Sequence, residues 1–200
     1  MKNVICLLIS FCLTSFISAQ SFELAADSAV TMTITGTSTL HGWTVTVKDV
    51  QKVPTTLSIT EEDRKAIEQF GFEAVIASMD GGRGASMNTK ITNALQEAKH
   101  PVITYQQNSP MVFSGIDDRG QFTGTSTGIL KMVGMEKEVV IEVTGQQKNG
   151  QLILKGSKPL TFSEFDIEPP SAMFGQIVCG DDIAVNFEFR YTESADVEEE

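Results

Sequence analysis

The sequence has few residues of the kinds that build covalent or metal-dependent sites. Its 200 residues include three cysteines, two histidines and one tryptophan. Cys6 and Cys12 lie in an apolar N-terminal segment, so Cys179 alone remains in the rest of the chain and no internal disulfide can form there. Two distant histidines and one cysteine make a poor set of metal ligands. We therefore predict no disulfide framework, no metal and no cofactor.

Positive charge is also scarce. Fifteen Lys and Arg residues stand against 26 Asp and Glu residues, which gives a formal net charge of −11. Proteins that bind nucleic acid or anionic lipid electrostatically need the opposite balance. The composition therefore excludes nucleic acid as an expected partner.

Long hydrophobic runs are absent except at the start of the chain. Residues 4–17 are apolar apart from Ser10, Thr14 and Ser15, and a small-residue site follows at Ser18-Ala19. This run is shorter than the ~20 residues of a membrane span, and Lys2 precedes it, as in a secretory signal peptide. We expect a signal peptide at 1–19, one domain at 20–192 and a disordered acidic tail at 193–200, with a periplasmic or secreted mature protein.

Most of the remaining chain alternates between apolar and polar residues, the pattern of half-buried β-strands. The alternation is clearest at 30–35, 43–48 and 183–191, and it points Met32, Ile34, Trp43, Val45 and the odd-numbered residues of the last run inward. Turn signals at 134–137 and Asn149-Gly150 predict hairpins. Around Glu62 the pattern allows a short helix or a hairpin, and we favour the hairpin.

One stretch, 80–101, breaks the β pattern and predicts a helix. Its apolar residues recur at helical spacing, while polar residues occupy the other positions. Gly81 to Gly84 precede it, and Pro101 ends it. The apolar stripe comprises Met87, Ile91, Ala94, Leu95 and Ala98.

Eight or nine antiparallel strands with one helix fit a closed barrel, because closure removes exposed sheet edges. A packed sandwich fits the periodicity equally well. At about eight strands a barrel interior is either filled by side chains or holds one small ligand.

The sequence contains few of the residue combinations that are typical of catalytic sites. His41 lies in a glycine-flanked turn beside Trp43 and is a candidate ligand contact, whereas His100, next to Pro101 at a helix end, has a more ordinary structural role there. The Gly81 to Gly84 loop lacks the Lys-Ser/Thr pair of a phosphate cradle. Cys179 lies among apolar residues, which indicates an inert, buried thiol. We predict no catalytic residue and no enzyme.

Taken together, four segments resemble the YceI-like family, exported lipocalin-like barrels associated with polyisoprenoid and other lipid binding. Their order and spacing carry the resemblance, which covers nearly the whole mature chain. The chain departs from better-known members at 83–90 and so resembles a divergent branch. The segments are 36–43 (GTSTLHGW), 79–105, 124–145, and 165–170 (FDIEPP) with 180–182.

The resemblance implies an antiparallel lipocalin-like β-barrel of about eight strands with an apolar channel for an isoprenoid or other long-chain lipid. The protein would be a carrier or a sequestering protein. A packed cell-envelope interaction module is the alternative, a hydrolase or isomerase is a third, and a homodimer stays open. The expected ligand-binding residues are Met32, Ile34, His41, Trp43, Val45, Met87, Ile91, Leu95, Ile103, Tyr105, Phe113, Val185 and Phe187.

Overall fold

Strands dominate the computed structural model, which describes residues 19–24, 30–52, 55–59, 65–113 and 117–193. The signal-peptide and acidic-tail predictions lie almost wholly outside these ranges. Within these ranges, one α-helix, α1 (Ala85–Ala94), and two short 3-10 helices (Ile76–Ser78 and Ser163–Phe165) accompany the strands. The strands are β1 Ala19–Leu24, β2 Val30–Ser38, β3 Gly42–Val47, β4 Val50–Lys52, β5 Thr55–Ile59, β6 Lys65–Ile67, β7 Gly71–Val75, β8 Met79–Asp80, β9 Val102–Gln107, β10 Met111–Phe113, β11 Gln121–Met132, β12 Met135–Lys148, β13 Gln151–Thr161, β14 Ser171–Ala172 and β15 Ile177–Glu193.

The strand pairings close into a ring of eight long barrel strands. The first four barrel strands are interrupted, and each consists of two or three segments. These are β1 with β2, β3 with β4 and β5, β6 with β7 and β8, and β9 with β10. The other four barrel strands are β11, β12, β13 and β15. Neighbours in this order are antiparallel. β15 closes the ring because it pairs with β13 on one side and with β1 and β2 on the other. The predicted antiparallel barrel of about eight strands is confirmed.

Alternation places one face of each long strand in the core, as period-two patterns require. In β12, for example, Val139, Ile141 and Val143 are buried while Glu138, Val140 and Glu142 are exposed. The barrel interior below the end that carries α1 is tightly filled. Its aromatic residues, with ring centroids 5.4–6.5 Å apart, are Phe70, Phe72, Tyr105, Phe187 and Phe189.

The helix is shorter than predicted. It begins after Gly84, whose φ of 82° suits glycine, and its last turn gives way to non-helical turns at Leu95. Leu95 is buried, and Met87, Ile91 and Ala94 are half-buried, so four members of the stripe face the protein. Ala98 is exposed, which corrects its place in the stripe. Since it follows Gln96, whose φ of 51° breaks the helical path, helical spacing no longer applies to it.

The turns between long strands are mostly as predicted. Asn149 and Gly150 both have positive φ, as a type I′ hairpin requires. β5 pairs with β6 in antiparallel register, as the favoured hairpin requires, whereas its predicted turn near Glu62 lies outside the described residues. The turn expected at 134–137 is instead Val133-Gly134, and β12 starts at Met135. The final strand is also longer than the predicted 183–191.

Candidate functional site

The end of the barrel that carries α1 holds a cavity of about 290 Å³. Its walls come from the inner faces of the sheet, and α1 covers it from one side. Nearly all of the atoms that face it are apolar. The lining residues from the sheet and its connections are Met32, Ile34, Ser38, Leu40, His41, Trp43, Val45, Val47, Phe72, Ala74, Met79, Ile103, Leu130, Met132, Leu160, Phe162, Pro170, Ser171, Ala172, Ile177, Cys179, Ile183 and Val185, and those from α1 and its flanks are Arg83, Met87, Lys90, Ile91, Ala94 and Leu95.

Trp43 is fixed on the cavity wall by its neighbours. Its indole lies against Gly36 on β2, where an added Cβ would come within 2.3 Å of the ring. The indole N–H donates a hydrogen bond to the Thr37 carbonyl oxygen at 2.8 Å, and the ring stacks on Phe162 with centroids 6.5 Å apart. Glycine at position 36 is therefore what lets a large flat side chain lie along the wall.

The floor of the cavity is the upper surface of the packed aromatic cluster. Phe72 lines the cavity and stacks on Tyr105, which lies deeper. The Tyr105 hydroxyl lies 2.6 Å from the Ser126 hydroxyl, which in turn donates to the Gln107 side-chain oxygen at 3.1 Å. Gln107 donates onward to the Ile67 carbonyl oxygen. These buried polar groups therefore hydrogen-bond to one another and to the backbone, and none of them points from the floor into the cavity.

Polar contacts hold the N-terminal end of α1 over the cavity. Asp80 forms an ion pair at 2.6 Å with Lys48, which directly follows β3, and it accepts hydrogen bonds from the Gly82 N–H and the Asn88 side chain. Chiefly because of the hydrogen bond from Lys48, and then that from Gly82, the pKa of Asp80 falls from 3.8 to about 2. Asn88 also accepts from the Gly81 N–H at 3.0 Å. The strand-to-helix loop is therefore tied to the barrel through a charged carboxylate.

Polar lining residues gather at the mouth. His41, Arg83 and Lys90 are all exposed, and the Lys90 ammonium donates to the Ser171 carbonyl oxygen at 2.9 Å. The His41 Nδ1 lies 2.7 Å from the Gly42 carbonyl oxygen. The cavity is thus apolar inside and carries two cations at its entrance.

Ten of the thirteen residues predicted as ligand-binding line this cavity. Tyr105, Phe113 and Phe187 do not, which corrects their expected place on the channel. Tyr105 and Phe187 belong to the packed cluster below the floor, and Phe113 stacks on Phe122 with centroids 4.0 Å apart near the far end. The ten that line it are Met32, Ile34, His41, Trp43, Val45, Met87, Ile91, Leu95, Ile103 and Val185.

Sequence reasoning missed several lining residues. Leu130 and Met132 alternate correctly in β11, but only the barrel's topology shows that the end of this strand meets α1. Phe162 and Ala172 lie in a connection with no regular pattern, so periodicity gave no signal for them. Cys179, expected to be a buried thiol, is half-buried on the wall.

Reactive groups near the cavity are few. Burial raises the pKa of the Cys179 thiol, so it is protonated near neutral pH and a weak nucleophile. Within the described ranges, no group of three or more His, Cys, Asp or Glu side chains could hold a metal ion. None of the helices in the described part of the chain is long and apolar enough to cross a bilayer.

A closed eight-stranded antiparallel barrel with an apolar cavity at one end defines a lipocalin-like barrel. The sequence agrees with this class, since a model of the YceI-like domain matches residues 23–191. The chain belongs to the YceI-like domain family, which confirms the resemblance seen in its motifs. None of the curated proteins matches the sequence.

Solved structures share this fold at low sequence identity. A polyisoprenoid binding domain from Saccharophagus degradans, implicated in plant cell wall breakdown, aligns with a TM-score of 0.63 at 11% identity, covering 90% of this chain and 100% of that one. BcnA of Burkholderia cenocepacia aligns with a TM-score of 0.61 at 13% identity, covering 80% and 95%. The Campylobacter jejuni YceI protein gives 0.54 at 13%, covering 97% and 94%.

Proposed function

We propose that this protein is an exported carrier or sequestering protein that binds a long apolar lipid, of polyisoprenoid type, in the cavity beneath α1. One observation carries the proposal: nearly all of the atoms that line the cavity are apolar, and the exposed cationic residues of its lining, Arg83 and Lys90, lie at its mouth. A lipid chain entering from the mouth would meet carbon on every side. Head-group contacts would be confined to the rim.

Apolar burial is enough to drive such binding. Each buried CH₂ contributes ~0.8 kcal/mol, so one five-carbon unit contributes about 4 kcal/mol at most. The volume of about 290 Å³ is near the lower end of the ~300–1,000 Å³ range of ligand pockets. We infer that the cavity takes a short apolar tail or the leading part of a longer one. The Saccharophagus degradans polyisoprenoid binding domain, which shares the fold, supports this ligand class.

We also propose that the protein acts outside the cytoplasm and binds without catalysis. The leader-like pattern of residues 1–19 supports export, with a mature N-terminus near Gln20. The protonated Cys179 thiol and the absence of polar groups deep in the lining favour binding over chemistry. N-terminal sequencing of the exported fraction tests the first part, and an intact Met1 would contradict it.

Trp43 provides a direct assay because it is the chain's single tryptophan and it lines the cavity. We expect its fluorescence to change saturably when a prenyl alcohol such as farnesol is titrated in. Leu95→Arg and Val185→Arg would each place an unpaired charge in the cavity and should abolish this change. Val140→Arg is the matched control, since Val140 points outward from β12 and is exposed.

The outcomes separate the candidate functions. Saturable binding that is lost in both cavity variants and kept in Val140→Arg supports a lipid carrier. No response to prenyl alcohols of any length tested would favour the alternative, a cell-envelope interaction module without a ligand. The observation that favours this alternative is the tight packing of the far half of the barrel.

A further inference from the structure

A cluster of exposed apolar side chains surrounds one side of the cavity mouth. Phe174 is fully exposed, and Met173 and Leu40 are exposed by about two thirds. Single exposed apolar residues are ordinary, but three large ones on neighbouring turns form a patch of the kind that contacts a partner. We call these three residues the apolar tip.

The apolar tip is an outward continuation of the cavity lining. Phe174 lies in the turn between β14 and β15, and the paired residues at the base of that turn, Ala172 and Ile177, both line the cavity. Leu40 lines the cavity itself. An apolar chain leaving the cavity here would therefore pass from the lining directly onto the tip.

The two turns that form the tip are joined by hydrogen bonds. The Thr39 N–H donates to the Val178 carbonyl oxygen at 3.0 Å, and the Thr39 hydroxyl donates to the Gln176 carbonyl oxygen at 3.2 Å. Met173 and Phe174 both have left-handed backbone conformations, with φ of 53° and 55°. Left-handed backbone positions favour Gly and Asn. The backbone conformation of the turn therefore does not explain why bulky apolar residues occupy positions 173 and 174.

Positive charge lies beside the tip in an otherwise acidic protein. Arg83 and Lys90 are exposed and line the mouth, and Lys90 reaches across to the Ser171 carbonyl oxygen at the base of the same turn. Apolar side chains flanked by Arg and Lys match the boundary of a phospholipid bilayer, where acyl chains lie just below phosphate groups. The net charge of −11 argues against attraction by anionic lipid as the main force.

We propose that the apolar tip inserts into the surface of a phospholipid bilayer, with Arg83 and Lys90 at the level of the phosphates. The cavity mouth then faces the membrane, and an apolar ligand passes between bilayer and cavity without crossing water. This goes beyond the proposed function, because membrane docking needs no particular ligand in the cavity.

The test is flotation of the protein, expressed with its own leader and purified, with vesicles of phosphatidylcholine alone. Binding to these uncharged vesicles is expected. Burying a phenylalanine side chain contributes enough free energy for Phe174→Ser to weaken the partition coefficient by about tenfold or more. Val112→Ser is the matched control, because Val112 is also exposed but lies on β10, at the end of the barrel away from α1. It should bind like the wild type.

Four results would overturn the proposal. The first is that the wild type does not float with the vesicles, and the second is that Phe174→Ser and Val112→Ser lose vesicle binding equally. The third is binding that is confined to phosphatidylglycerol vesicles and is unaffected by Phe174→Ser. The fourth is a wild-type dimer in solution that Phe174→Ser converts to a monomer. The last would assign the tip to a second copy of the chain. Prenyl alcohol binding followed by Trp43 fluorescence should persist in Phe174→Ser, so failure of docking and failure of ligand binding are separable.

Discussion

Replacing Phe187 with alanine should be among the most destabilising single changes in the barrel. The Phe187 ring is 5% exposed and has Phe70, Phe72 and Phe189 around it at centroid distances of 5.7, 6.3 and 5.5 Å. It also covers Gly156, where an added Cβ would come within 2.3 Å of the ring. Neighbours held this closely cannot collapse into the space. The full cost of a Phe→Ala cavity, ~3–5 kcal/mol, is therefore expected.

Glu188→Ala is the matched control for Phe187→Ala. Glu188 points out of the barrel and forms ion pairs with Lys155, at 2.8 Å, and with Arg190. Partly exposed pairs of this kind contribute about 0–1 kcal/mol. The measurement is the free energy of unfolding of both variants in urea. A loss below ~1 kcal/mol for Phe187→Ala, or a larger loss for Glu188→Ala, would refute the packing and the strand register described above.

Two further predictions concern the cavity and its cover. Gly36→Ala should push the Trp43 indole off the wall, seen as a red shift of its fluorescence together with weaker prenyl alcohol binding; an unchanged spectrum would contradict the close approach at Gly36. Because the folded-state pKa of Asp80, about 2, lies below its ordinary 3.8, the carboxylate stabilises the fold above pH ~4, and that contribution is lost as the pH falls toward 2. Asp80→Asn should therefore flatten the loss of stability between pH 4 and 2, and parallel acid-unfolding profiles for variant and wild type would contradict this.

Alternation in the sequence was sufficient to predict the barrel wall. Met32, Val45 and Phe187 all face inward as their period-two patterns require, because shifting a strand by one residue would bury its charged face. The type I′ turn at Asn149-Gly150 was equally readable, since few other residue pairs accept positive φ at both positions. These features depend on neighbouring residues along the chain, so they can be predicted from the local sequence.

Features that depend on distant contacts were not predictable. Periodicity shows that Ile103 and Phe187 both point inward, but it does not show that Ile103 faces an open cavity while Phe187 is packed among other rings. That difference arises from where α1 crosses the barrel end. The end of α1 was also misjudged at Ala98, because the left-handed turn at Gln96 carries no glycine to signal it.

The central claim, that the cavity beneath α1 holds an apolar lipid, is tested most directly by mass spectrometry of the natively purified protein after extraction with organic solvent. We expect a prenyl-type lipid in near-stoichiometric amount from the wild type and from Val140→Arg, and none from Val185→Arg. An empty wild-type extract, together with no uptake of added prenyl lipids, would contradict it.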